Sequence, residues 1–206
     1  MRGFRRSNPS SREFFGGEHR FEHWYRDNTV YFVTARCRDG FNAFASGRAR
    51  LIFWDRFDHY TRLHGFEPWV TTLLVNHYHT VGYLAKGTEL GAMMRKLHGS
   101  VAKLVNDLLP ERKVPFWCED GHNNYFDGCL RDILQLDRAY RYTRDQAVRA
   151  RIVRAYNDYP DTRVMIDLDA AIRRATELDV FLEQVPYARY AKRRTSRQSS
   201  GTGQCH

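Results

Sequence analysis

Apolar positions along this chain follow two different periods. Residues 29–36, Thr-Val-Tyr-Phe-Val-Thr-Ala-Arg, are rich in β-branched and aromatic side chains, which suit a pleated surface and predict a strand. Arg38-Asp39-Gly40 ends it. From about residue 45 to 64 the period changes. Leu51, Ile52, Trp54, Phe57, Tyr60 and Leu63 recur at helical spacing, and Gly65 follows as a stop. Residues 69–75 and 77–84 read as two more strands, separated by a bend at Asn76. Leu90, Met93, Met94, Leu97, Val101, Leu104, Val105 and Leu108 predict an amphipathic helix over 88–109, with Thr88 as its cap and Pro110 closing it. Phe116-Trp117 and Tyr125-Phe126 bracket Gly121-His122-Asn123-Asn124, an irregular fourth strand or a hairpin. Residues 136–153 predict a helix with Ala139, Tyr142, Thr143, Gln146 and Ala150 near one side. A last helix is expected over 168–183, capped by Asp167.

The order strand, helix, strand, strand, helix, strand predicts an α+β fold of the ferredoxin-like split βαβ kind. That is an antiparallel sheet with helices on one face, here with a C-terminal helical extension. The expected divisions are a basic flexible arm (1–20), the main domain (21–155), the helical extension (156–190) and a basic disordered tail (191–206). Hydrophobic content of 42% and aromatic content of 14% are ample for a packed core. No run of 18 apolar residues exists, so no membrane span is expected, and the start of the sequence has no apolar signal region. Cys37, Cys118, Cys129 and Cys205 form no CxxC pair, which points away from a zinc knuckle or a disulfide framework and towards a reducing cytosol.

The net charge of +9 suits a polyanionic partner, but much of it sits in the arm and the tail, at +3 and +4. The more telling excess lies in the fold. Arg138, Arg141, Arg144, Arg149, Arg151 and Arg154 face only Asp145 over residues 138–154. That stretch also holds Tyr142.

The candidate chemistry begins at Asn76-His77-Tyr78-His79. Alternate residues of a strand share a face, so His77 and His79 project side by side and Tyr78 points the other way. Paired imidazoles can hold a divalent cation. Tyr142 and Gln146 are four apart, one turn of a helix, so an amide oxygen can join a metal beside a phenol. Two imidazoles and an amide leave open positions for phosphate and water, which suits Mg²⁺ or Mn²⁺, with imidazole favouring Mn²⁺. Arg95, Lys96, His98 and Lys103 on the second long helix, and Arg138, Arg141 and Arg149 near Tyr142, are candidate phosphate contacts. Trp117, Tyr125 and Phe126 are candidates for stacking on unpaired bases, and equally for the core.

These motifs together resemble the single-tyrosine HUH transposases, and within them the REP-associated tyrosine transposases. The resemblance spans roughly residues 25–155 and rests on Asn76-His77-Tyr78-His79, Phe116-Trp117, Tyr125-Phe126-Asp127, Arg131-Asp132 and Tyr142-Thr-Arg-Asp-Gln146-Ala-Val-Arg149-Ala. It implies that His77, His79 and Gln146 hold the metal and that Tyr142 is the nucleophile. It also implies cleavage of single-stranded DNA near a hairpin through a 5′-phosphotyrosine link, a homodimer, and a bacterial cytoplasmic setting on nucleoid DNA. This chain has Leu74-Val75 where the family usually has Met-Pro, and Gln146-Ala147 where its relatives commonly have Asn-Pro. The main competing reading is a non-catalytic single-stranded nucleic-acid-binding module on the same sheet. A two-histidine phosphoesterase would need two matched His-x-Thr/Ser motifs, and His77-Tyr78-His79 is not one of them.

Overall fold

A computed structural model describes residues 14–15, 18–19, 25–118 and 124–174. Strand β1 (Thr29–Arg36) leads to helix α1 (Gly47–His64), strand β2 (Phe66–Leu73), strand β3 (His77–Leu84), helix α2 (Glu89–Asn106) and strand β4 (Phe126–Leu130). Helix α3 (Ile133–Arg144), the short helix α4 (Gln146–Arg149) and strand β5 (Thr162–Val164) follow. The five strands form one antiparallel sheet in the order β4-β1-β3-β2-β5. This is the expected split βαβ arrangement, with β1 and β3 central and β5 added beside β2.

The two long helices cover one face, as expected. Ser46 caps α1 by accepting the Ala49 amide at 3.1 Å, and Gly65 ends it in the left-handed region at φ 69°. Phe53, Trp54 and Phe57 of α1 meet Met93, Met94, Leu97 and Val101 of α2 over Tyr31, Val33, Ala35, Tyr78 and Leu84 of the sheet. Helix α3 lies elsewhere, packed on β2 and β3. Its buried Tyr140 and Thr143 turn to the opposite face, which carries Val70 and Thr72.

Several local expectations differ from the structure. Leu51 and Leu63 are 71% and 57% exposed, and the buried stripe of α1 runs instead through Ala49, Phe53, Trp54, Phe57 and Thr61. Thr88 has helical dihedrals and makes no side-chain cap. The fourth strand begins only at Phe126, while Trp117 forms an isolated bridge to Cys37. The helix expected over 136–153 starts at Ile133 and breaks at Asp145. Residues 156–165 hold a 3-10 turn (Tyr156–Asp158) and edge strand β5 rather than the start of a helical extension.

The chain divides into two compact units, Met1–Met165 and Ile166–His206. In the second, residues 168–174 are helical and Asp167 caps them by accepting the Ala170 amide at 3.0 Å, as expected. In the arm, Phe14–Phe15 pairs with Glu18–His19. The remainder of the helix expected over 168–183, the expected tail and His122 lie outside the described residues.

Candidate active site

The period-2 alternation of β3 sends Tyr78 into the core and both histidines to the α3 face. Tyr78 is fully buried against Phe53, with ring centroids 4.9 Å apart. His77 and His79 stand side by side, with centroids 5.1 Å apart and planes at 85°. Register places Thr34 of β1 opposite His79 and Arg36 opposite His77. Each imidazole uses its Nδ1 within the protein. His77 Nδ1 bonds Asn76 Oδ1 at 2.6 Å, and His79 Nδ1 bonds Thr34 Oγ1 at 2.5 Å. That leaves both Nε2 atoms for another partner.

Helix α3 brings the phenol. Asp132 caps it by accepting the Gln135 amide at 2.8 Å. Tyr140 and Thr143 anchor its inner side, and Tyr142 emerges 40% exposed at the edge. The Tyr142 ring lies 5.2 Å from the His79 ring at 79°, and 6.0 Å from Phe32 at 81°. Arg149 sets its guanidinium over the same ring, 5.1 Å from the centroid. At the break between α3 and α4, Gln146 is buried and its Nε2 donates to the Tyr142 carbonyl at 3.0 Å. The engaged amide nitrogen leaves Oε1 as the free donor atom of Gln146. His77, His79, Tyr142 and Arg149 thus follow one another in ring and cation contacts, and Gln146 lies against the backbone of Tyr142.

Electrostatics keep the imidazoles neutral. Burial pushes His79 down to about 3, with His77 beside it adding to the shift. Burial also lowers His77, and the Arg36 guanidinium reinforces it. A neutral imidazole has a lone pair to give. Among the described residues no three His, Cys, Asp or Glu side chains cluster as a metal site. The groups that could hold a cation here are the His77 and His79 imidazoles, with the Gln146 amide oxygen as a third candidate from the helix that carries Tyr142. That set fits a divalent cation that keeps phosphate or water in its remaining positions.

Other sequence candidates fall elsewhere. Arg95, Lys96 and Lys103 are exposed on α2, which covers the other face of the sheet. His98 is no phosphate contact. It is 1% exposed, accepts the Tyr78 hydroxyl at 2.9 Å, donates to Asn124 Oδ1 at 2.7 Å and stacks on Trp117 at 4.3 Å. Trp117 is likewise core rather than a stacking platform. Phe126 is half-buried and edges against Phe32, 6.3 Å away, on the Tyr142 side. Arg138 and Arg141 are exposed on α3, and Arg141 Nε donates to Asp137 at 2.7 Å. Sequence reasoning passed over Thr34, Phe32 and Arg36, because only the β1–β3 register sets them beside the histidines.

No protein-family model matches the chain, and no curated protein does. Among solved structures, the chain is similar to a REP-associated tyrosine transposase bound to a REP hairpin, with a TM-score of 0.58 and 15% identity. The match covers 69% of this chain and 80% of that one. At this identity the likeness is one of fold, and it agrees with the five-stranded antiparallel sheet and its packed helices.

Proposed function

We propose that this chain is a divalent-metal-dependent DNA strand transferase, which cuts single-stranded DNA beside a hairpin with Tyr142 as nucleophile. The observation that carries this reading is the contact of the Tyr142 and His79 rings at 5.2 Å. It joins the two halves of the chemistry, phenol and imidazole pair, without a second subunit. The fold likeness to a hairpin-bound transposase adds weight.

In this reading His77, His79 and Gln146 would hold Mn²⁺ or Mg²⁺. When bound, the metal supplies charge neutralisation at the phosphate. Tyr142 Oη attacks phosphorus and loses its proton to water. The new P–O bond to tyrosine forms as the P–O3′ bond breaks, and the leaving oxygen takes a proton to become a 3′-OH. The link keeps the 3′ segment on the enzyme through its 5′ phosphate as a phosphotyrosine, ready for attack by a second 3′-OH. Phe32, His79 and Arg149 hold the ring, so little orientation is left to find at the moment of attack. Arg149 and Arg36 add positive charge where the phosphate would lie.

The test uses hairpin-bearing single-stranded oligonucleotides with Mn²⁺ and a denaturing gel. Wild type should give a covalent species that retains a label placed on the 3′ segment, and Tyr142→Phe should bind but form none. Binding by wild type with no cleavage at all would favour the non-catalytic DNA-binding module.

A further inference from the structure

Neutral histidine has two tautomers, and only the nitrogen without a proton can ligate. Which nitrogen that is depends on the bond made by the other one. His77 Nδ1 lies 2.6 Å from Asn76 Oδ1. Which end of the Asn76 amide faces His77 is set by the partner of its other end. Asn76 Nδ2 donates to the Gly40 carbonyl at 3.0 Å. Flipping the amide would set oxygen against oxygen there. The backbone on both sides is tied as well: Cys37 N donates to Asn76 O and Phe44 N to Val75 O, each at 2.8 Å. Gly40 presents its carbonyl from a left-handed conformation, φ 67°, where a Cβ would meet Arg36 Nη2 at 3.0 Å. The loop after β1 therefore fixes Asn76, and Asn76 faces His77 with an acceptor.

We infer that Asn76 is a positioning residue that holds His77 as the Nδ1–H tautomer, so that the Nε2 lone pair is the one presented to a divalent cation. The cation is that of the proposed function, on which this inference rests for its use. The tautomer itself stands on the hydrogen bonds alone. His79 lacks an equal constraint. Its partner Thr34 Oγ1, at 2.5 Å, can donate or accept, so that hydroxyl serves either tautomer. The two metal-facing histidines thus differ: one is dictated by the fold and one is adaptable.

Long-range ¹H–¹⁵N correlation spectra of the metal-free protein at pH 7.5 read the tautomer directly, with His77 identified by the signals lost in His77→Gln. Wild type should show His77 protonated at Nδ1. Asn76→Leu should shift it towards Nε2–H or to an average of both, while Asn76→Asp, which keeps the acceptor, should preserve it. Mn²⁺ titration followed by electron paramagnetic resonance, with a single-stranded oligonucleotide present, should show the Kd of Asn76→Leu raised about 10–100-fold. His77 protonated at Nε2 in wild type would overturn the inference, as would an Asn76→Leu protein with unchanged tautomer and affinity. An Nδ1–H His77 in a wild-type protein that takes up no Mn²⁺ would uphold the tautomer and reject the metal reading.

Discussion

The Tyr142 ring is held from three directions, by Phe32, by His79 and by the Arg149 guanidinium. A phenol so placed keeps its rotamer and meets positive charge at its face. Arg149→Gln keeps the chain's bulk but loses that charge. Adduct formation should slow about 10–100-fold with the melting temperature little changed. A stopped time course of the gel assay measures it, and an unaltered rate would remove Arg149 from the site. At this scale the sequence was informative where local periodicity carries the geometry. His77 and His79 follow the strand period, and Tyr142 and Gln146 the helix period. Thr34 could not be read this way, because it reaches His79 across 45 positions through strand pairing. His98 was misread for the same reason: its neighbours Tyr78 and Asn124 lie 20 and 26 positions away.

Among the elements, β2 and β3 set where the histidines stand. Their register shifts between Pro68 and Val70, and Gly82 sits opposite that irregularity. A Cβ at Gly82 would lie 2.5 Å from both the Glu67 carbonyl oxygen and the Phe66 ring. Backbone cannot yield as a side-chain end can, so Gly82→Ala should cost about 1–3 kcal/mol. Urea unfolding measures this, and a wild-type midpoint would show that the two strands have slack. Helix α1 shows where pattern reading falls short. Phe53 and Trp54 are both buried, so the stripe is wider and turned further than one built on Leu51 and Leu63. The break at Asp145 was equally hidden. Its flanking residues all favour helix well enough, and the Gln146 side chain, bonded to the Tyr142 carbonyl, keeps the two side by side across it.

For the molecule as a whole, the sheet separates two kinds of histidine. His98 lies in the core on the α1–α2 side, pushed down to about 4 by burial. His77 and His79 lie on the α3 side, both lowered, His79 to about 3. All three are more basic in the unfolded chain, near 6.5, than in the fold. Between those values the unfolded chain binds more protons, so stability falls as pH drops from about 6.5 towards 4. His98 alone should cost about 2 kcal/mol at pH 5 relative to pH 7.5. Thermal unfolding at the two pH values measures this, and equal or greater stability at pH 5 would contradict it. The succession β1, α1, β2, β3, α2 was legible because alternating and helical periods follow one another cleanly from residue 29 to 106, whereas the three residues of β5 are too few to show a period. The placement of α3 was not, since a helix with both an apolar and a basic side can close either face. That placement turns a fold into a candidate site. Its most direct measurement is mass spectrometry of the protein–DNA adduct after proteolysis. A nucleotide mass is expected on Tyr142, joined through the 5′ phosphate of the 3′ segment. A nucleotide on Tyr140, Tyr156 or any other residue, or no adduct under any divalent cation, would contradict it.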